Sequence, residues 1–446
     1  CCMSQHSELD RRTFLQGGLA TAVGAAVLSA GGQAASAAEK TRPVRVGVVG
    51  CGGRGQGLLA VLLALEGIEV PALCDIHAGH LAAAQDRVEK AGRKRPEGYS
   101  GDEDAYKRFM DRDDLEAVII ATPWDWHTPM AVYAMRAGKY AGVEVPAALT
   151  FQECWDLVNT HEETGVPCMM LENWSFRRDN LAVLNMTRKG LLGQLVHCHC
   201  AHSHMCIDHW FWDRQGNPRW PARYLIERNA DQYPTHSLGP VLSWMDINCG
   251  DAFDTMTSTA TSSIGINAYF ARTLGPDHPL ARQKYAQGDI VTSVVRTKRG
   301  RSIVINYDMQ LPRPYDNRWL IQGTLGLYDE VRSSVHLVER TPEPQQHNWE
   351  PFAPYQEEFD HAWWKAMGAD GAVATHGGTD YLELQQFVNA VRRRTSPPID
   401  VYDSATMCVV IPASERSIAD RGAPIECPDF TRGKWQSRKP TFAMEA

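Results

Sequence analysis

Val44-Arg45-Val46-Gly47-Val48-Val49, running directly into Gly50-Cys51-Gly52-Gly53-Arg54-Gly55, is the stretch that decides the fold. The first six residues are a short β-branched run, the pattern of a buried parallel strand. The next six complete a G-x-G-x-x-G, and residues 56–65 continue as an apolar, helix-forming segment. Each glycine of the motif has a physical role. Gly50 makes a tight turn, Gly52 and Gly53 let backbone approach a pyrophosphate, and Gly55 lets helix pack on strand. Arg54 completes the loop. The pyrophosphate is expected over the helix start, where free N–H groups and the helix dipole favour an anion. A second strand at 70–73 leads to Asp75, about twenty residues beyond the last glycine. A carboxylate there accepts hydrogen bonds from both ribose hydroxyls of NAD and repels a 2′-phosphate, so NAD is expected, not NADP.

Outward from this unit, the chain is 446 residues long, too long for one ordinary domain. Its hydrophobic fraction of 43% and charged fraction of 22% are globular proportions. A net charge of -8 gives no electrostatic footprint for nucleic acid. Twelve cysteines are too sparse for a disulfide-stapled scaffold. Towards the start, Arg11-Arg12-Thr13-Phe14-Leu15 has the twin-arginine pattern, followed by an uncharged Gly/Ala-rich stretch too weakly apolar for a spanning helix. Ala35-Ser36-Ala37 supplies a small-x-small cleavage site, so 1–37 reads as an export signal, with a periplasmic or cell-surface destination and no membrane span after processing. Cys1-Cys2 stand on the wrong side of that stretch for a lipid-bearing cysteine and receive no role. Because this route exports folded proteins, the remaining cysteines are expected as free, buried thiols.

Towards the other end, 38–172 reads as the dinucleotide-binding α/β domain. Its strand at 115–123 ends in Trp124-Asp125-Trp126-His127, a loop that should meet the cofactor, since ligands lie beyond the carboxyl ends of such strands. A strand at 140–146 ends in Glu144-Val145-Pro146, and one at 169–172 places Asn173 at the same edge. From 173 to 400 the pattern changes to period-2 runs at 195–203, 255–264, 291–297, 302–309 and 319–328, with Gly300-Arg301 as a hairpin turn. They predict an α+β domain with a large, mostly antiparallel open sheet. One face should cover the active site or a partner, and a homodimer through this sheet is expected. Residues 401–446 read as a carboxy-terminal helix and tail packing back on the first domain. Residues 342–354 read as a surface loop. Arg392-Arg393-Arg394 complement a helix carboxyl end and do not form a nucleic-acid patch. In His197-Cys198-His199-Cys200-Ala201-His202-Ser203-His204-Met205-Cys206, strand geometry sends His and Cys to opposite faces, so no metal is expected.

The order glycine loop, acidic strand end, Ala121-Thr122-Pro123 with His127, then Glu144-x-Pro146 resembles the glucose–fructose oxidoreductase and inositol dehydrogenase superfamily. In its dehydrogenases the last motif is usually E-K-P, with a lysine that assists acid/base chemistry; here Val145 stands in its place. Together with Tyr233-Pro234-Thr235-His236-Ser237-Leu238-Gly239-Pro240, Arg313-Pro314-Tyr315, Asp400-Val401-Tyr402-Asp403 and Ser414-Glu415-Arg416-Ser417, the chain resembles glycoside hydrolase family 109 from about Val44 to Ala419.

That resemblance implies an exo-acting glycosidase that hydrolyses terminal α-linked N-acetylgalactosamine with retention. NAD oxidises C3, the acidified C2 proton is lost with elimination of the C1 substituent, water adds at C1, and C3 is reduced again. The NAD would be tightly held and regenerated in each cycle, which suits export to a compartment poor in free NAD. Carried over by motif, His236 is the acid/base residue and Tyr233 and Tyr315 join it at the substrate. Arg223 and His202 are further substrate-binding candidates. Two other readings stay open: a periplasmic NAD(P)-dependent sugar oxidoreductase of the parent superfamily, which Val145 opposes, and a non-catalytic sugar-binding protein.

Overall fold

The structure is a computed structural model that describes residues 42–444 except 339, 343–346 and 372–374. The export signal read at 1–37 lies outside the described residues.

Six strands run parallel in the first sheet, in the order β4 (Glu97–Tyr99), β3 (Ala72–Cys74), β1 (Val44–Val49), β5 (Ala117–Ile120), β6 (Tyr140–Glu144), β7 (Cys168–Leu171), with short β2 (Ile68–Glu69) also pairing with β1. Pro71 separates β2 from β3, so the strand expected at 70–73 begins two residues later. Nearly every side chain of β1, β5 and β7 is buried, because helices cover the sheet and leave no polar face. Register places Val48 opposite Leu73 and Ile119, which brings the glycine turn, Asp75 and the 121–127 loop to one edge.

The second sheet has nine strands: β15 (Glu350–Pro351), β14 (Ser334–Leu337), β13 (Gly326–Asp329), β12 (Leu320–Gly323), β8 (Leu195–Ser203), β11 (Ser302–Asp308), β10 (Ile290–Thr297), β9 (Phe253–Ala260), β16 (Ile425–Glu426). Only β8 and β11 pair in parallel; the remaining neighbours are antiparallel. The α/β plus open antiparallel-sheet architecture expected from sequence is therefore the one observed. Three boundaries differ. The run 319–328 is a hairpin, not one strand, because the chain turns at Thr324-Leu325. The run 255–264 stops at Ala260, since residues beyond it turn into the Gly265–Thr273 helix. And 342–354 is not wholly loop: β15 extends the sheet edge through pairing with β14.

The Thr235–Trp244 helix covers β8, and the Val410–Ala419 helix covers β9. The opposite face carries half-buried or exposed His197, His199, Val294, Val304 and Leu327, with Val294 42% exposed. The Thr379–Arg393 helix returns to the first sheet and packs on the Gly53–Ala64 helix, and Val401–Cys408 packs on the Phe151–Thr164 helix. Every described cysteine is unpaired, and all but Cys249 are buried. Among the described residues no helix is long and apolar enough to cross a membrane.

Candidate active site

Beyond the carboxyl edge of the first sheet lies a cavity of about 680 Å³. Gly50, Gly52, Gly53 and Arg54 line one end with Asp75, His77 and His80. Gly50 has φ +85°, and a Cβ there would lie 2.5 Å from the Ala121 carbonyl oxygen, so only glycine fits the turn. At Gly53 an added Cβ would meet nothing within 4 Å, because its Cα faces open space. The helix beginning there has neither a side-chain cap nor an acid in its first turn, which leaves N–H donors for an anion. Asp75 accepts the Cys51 N–H at 2.6 Å on one oxygen and the His77 N–H at 2.7 Å on the other. Both oxygens keep a lone pair for ribose hydroxyls. Open backbone for a pyrophosphate and a carboxylate for a ribose fit NAD. Gly55, read with the cofactor-binding glycines, does not itself line the cavity: a Cβ there would sit 1.8 Å from the Gly50 carbonyl oxygen, in keeping with its helix-packing role.

Trp124, Trp126 and His127 all line the cavity. His127 acts as a strut, its ring nitrogens 2.8 Å from the Pro146 carbonyl and 2.7 Å from that of Thr122. Burial lowers its basicity, against the pull of those carbonyls. Glu144, at the end of β6, accepts from Arg54 Nε at 2.5 Å, and Arg54 reaches both oxygens of Asp380 at 2.9 and 3.2 Å. Asn173 donates to Asp380 at 2.8 Å, and His376 Nδ1 lies 2.8 Å from it. Burial alone would raise Asp380, but His376 and Arg54 hold it below the usual carboxylate range. Val145 lines the same wall and offers no proton.

At the other end stand Tyr233, His236 and Trp174. The Thr235–Trp244 helix starts beneath the end of β7, which brings His236 Nδ1 within 2.7 Å of Glu172 Oε1. Glu172 is fully buried and caps the Asn173–Phe176 turn, accepting from Trp174 N at 3.0 Å, Ser175 N at 2.8 Å and Ser175 Oγ at 2.5 Å. Burial pushes the Glu172 carboxyl up to about 8 and the His236 imidazole down to about 3. Both directions favour the uncharged pair, in which the carboxyl donates to Nδ1 and Nε2 carries the ring proton. Loss of one proton from the pair turns Nε2 into an acceptor, the arrangement a proton-transfer group needs. Tyr233 is stacked on Trp124, with ring centroids 5.8 Å apart, and burial raises its phenol well above the ordinary value, so it stays a donor.

Three predicted substrate residues do not line this cavity. Tyr315 is exposed, with its ring 5.9 Å from that of Trp174. His202 is buried behind Tyr233 and His236, at 5.0 and 5.5 Å, and supports them instead of presenting itself. Arg223 pairs with Asp125 and lies over Tyr224, so its charge is spent holding the rim together. Sequence reasoning missed Glu172, Trp174, Trp210, Trp220, His376 and Asp380. An acid ending the apolar run Cys168-Met169-Met170-Leu171 is the one local signal that could have found Glu172.

Residues 44–172 match the family described as "Oxidoreductase family, NAD-binding Rossmann fold", and 176–437 match "Glycosyl hydrolase 109, C-terminal domain". The chain belongs to glycoside hydrolase family 109. A family 109 protein of Stenotrophomonas maltophilia is 40% identical over 91% of this chain and 92% of its own length. A protein of Tannerella forsythia named alpha-N-acetylgalactosaminidase is 37% identical over 98% and 100%. Among solved structures, an NAD binding oxidoreductase from Klebsiella pneumoniae aligns with TM-score 0.67 at 17% identity, over 86% of this chain and 98% of its own. Levoglucosan dehydrogenase in complex with NADH aligns with TM-score 0.64 at 18% identity, over 87% and 100%. These two carry the fold alone. Family 109 membership joins an NAD-binding Rossmann domain to a hydrolase domain, and the wall holding Glu172 and His236 is where the two meet.

Proposed function

We propose that this protein is an exo-acting glycosidase that releases terminal α-linked N-acetylgalactosamine with retention, using one tightly held NAD restored in every cycle. The observation that carries the reading is the Glu172–His236 pair on the wall of the dinucleotide cavity, beside a valine where dehydrogenases have a lysine. The activity named for the Tannerella forsythia relative supports it. Gly52 and Gly53 would hold the pyrophosphate through backbone N–H groups, with Gly50 shaping the turn, and Asp75 would hold the ribose. When bound, NAD supplies a hydride acceptor for the sugar C3 and the same hydride for its return.

The chain's own residues do the rest. Nε2 of His236 takes and gives the protons of the cycle, and Glu172 answers each change through Nδ1. Tyr233 donates to a sugar oxygen, and the aromatic wall of Trp124, Trp174 and Trp210 excludes water from the oxidised sugar. A C3 ketone acidifies the C2 proton, so loss of the C1 substituent needs no second carboxylate of the ordinary glycosidase kind.

The test is release of N-acetylgalactosamine from an aryl α-N-acetylgalactosaminide in deuterated water. Deuterium at C2 of the freed sugar is expected. Release without exchange rules out elimination; NADH accumulating on free sugar, with no release, favours a dehydrogenase.

Export through the twin-arginine route to the periplasm or cell surface belongs to the same proposal. An enzyme that restores its own NAD suits a compartment with little of it. A mature amino terminus near Ala38 in an envelope fraction is the expected outcome. Pairing of two chains through the open sheet face is proposed as well, with light scattering as its measure.

A further inference from the structure

β8 ends at Ser203, and with it ends the alternation that keeps His and Cys on opposite faces. The next residues are pinned differently. His204 N donates to the Asp308 carbonyl at 2.9 Å, and Cys206 N to that of Met309 at 3.0 Å, so both follow the extension of β11. The chain then makes a single π-helical turn, Ile207–Phe211, in which Trp210 N bonds the Cys206 carbonyl at 3.1 Å and Trp212 N bonds that of Ile207 at 2.8 Å. Such one-turn π segments concentrate at functional sites. This one folds His209 back over the preceding residues. The rings of His204 and His209 lie 4.9 Å apart, and donor atoms of His204, Cys206 and His209 all fall within 4.8 Å of one another.

We propose that His204, Cys206 and His209 form a binding site for one zinc-class divalent ion, separate from the dinucleotide cavity. Two imidazoles and a thiolate are the donor set that such ions prefer. A tetrahedron with bonds of about 2.0–2.3 Å has edges of roughly 3.3–3.7 Å, so the three donors need to close by about 1 Å. His209 is exposed at the surface and free to make that movement, and solvent takes the fourth position. The Asp208 carboxylate lies 3.8 Å from His209 Nδ1, where it can orient the ring as outer carboxylates do for ligating histidines. Ligation by a thiol exchanges its S–H bond for an S–metal bond and releases that proton to solvent, with no change of oxidation state.

The site has a structural consequence for the reaction end. Trp210, on the same turn, lies 5.0 Å from Tyr233 and 5.5 Å from Trp124, and His204 lies 5.1 Å from Tyr315. An ion here would clamp the turn that holds this aromatic wall.

Chelator-stripped full-length protein titrated with Co²⁺ provides the test. One equivalent should bind with a thiolate-to-cobalt charge-transfer band, release one proton, and be displaced by Zn²⁺. Cys206→Ser should abolish the band, and Cys206→Ser and His209→Asn should each weaken binding at least about tenfold, with unchanged circular dichroism. His209 is exposed, so its variant keeps the fold even if the cysteine variant does not. Absence of stoichiometric uptake by folded protein, uptake without the band, or uptake by both variants equal to that of the parent overturns the proposal.

Discussion

At the nucleotide end of the cavity, Gly50, Gly52, Gly53 and Asp75 come from one strand–turn–helix–strand run and act through a tight turn, open backbone and one carboxylate. At the sugar end, Glu172, Trp174, Tyr233, His236 and His376 come from three separate segments and act through side chains. The two ends answer different chemical demands. A pyrophosphate needs close approach and positive potential, which a local turn supplies. Proton transfer needs groups whose acidities are set by burial and by each other, which only tertiary packing supplies.

If that division holds, substitutions at one end should leave the other untouched. His236→Ala should lower kcat by about 10³-fold while purified protein retains its NAD; loss of NAD would erase the distinction. Glu172→Gln should lower kcat roughly 100-fold with little change in KM. It should also move the basic apparent pKa of kcat/KM down from near 8, because the carboxyl that carries the pair's exchangeable proton is gone. An unshifted profile would assign that proton elsewhere.

Asp75→Ala strikes the opposite end. It should weaken NAD binding about tenfold, near 1.4 kcal/mol, and narrow the preference over NADP, with kcat at saturating NAD preserved. The last effect is on stability and not on turnover. The folded Glu172 carboxyl is raised above its unfolded value, so its contribution is full below the unfolded pKa of about 4.3 and is lost as pH rises through about 8. The parent Tm should therefore fall relative to that of Glu172→Gln across this window, measured by calorimetry at a series of pH values.

The same contrast explains what is legible in the sequence. The glycine turn, Asp75 and the strand ends at Glu144, Val145 and Asn173 can be read because their geometry is fixed within a few residues. His236 is legible through its motif. Glu172 looks like the last residue of an apolar strand, and nothing within the neighbouring residues says that a helix start 64 positions later meets its carboxyl. Arg223 and His202 lie off the cavity lining for the opposite reason: a plausible residue type near the right segment, turned by packing towards Asp125 or towards the core. In the His/Cys-rich stretch, strand alternation holds only as far as Ser203, and three residues beyond it converge.

The tie from Arg54 to Asp380 spans 326 positions and joins the glycine loop to the Thr379–Arg393 helix. During synthesis the loop leaves the ribosome early, yet its guanidinium meets this partner only when most of the chain has followed. A nascent chain halted before Asp380 would carry every glycine of the nucleotide motif and still lack the partner of its arginine. The lining of the dinucleotide cavity, to which Arg54 and His376 both contribute, is in this way finished only by the last quarter of the chain.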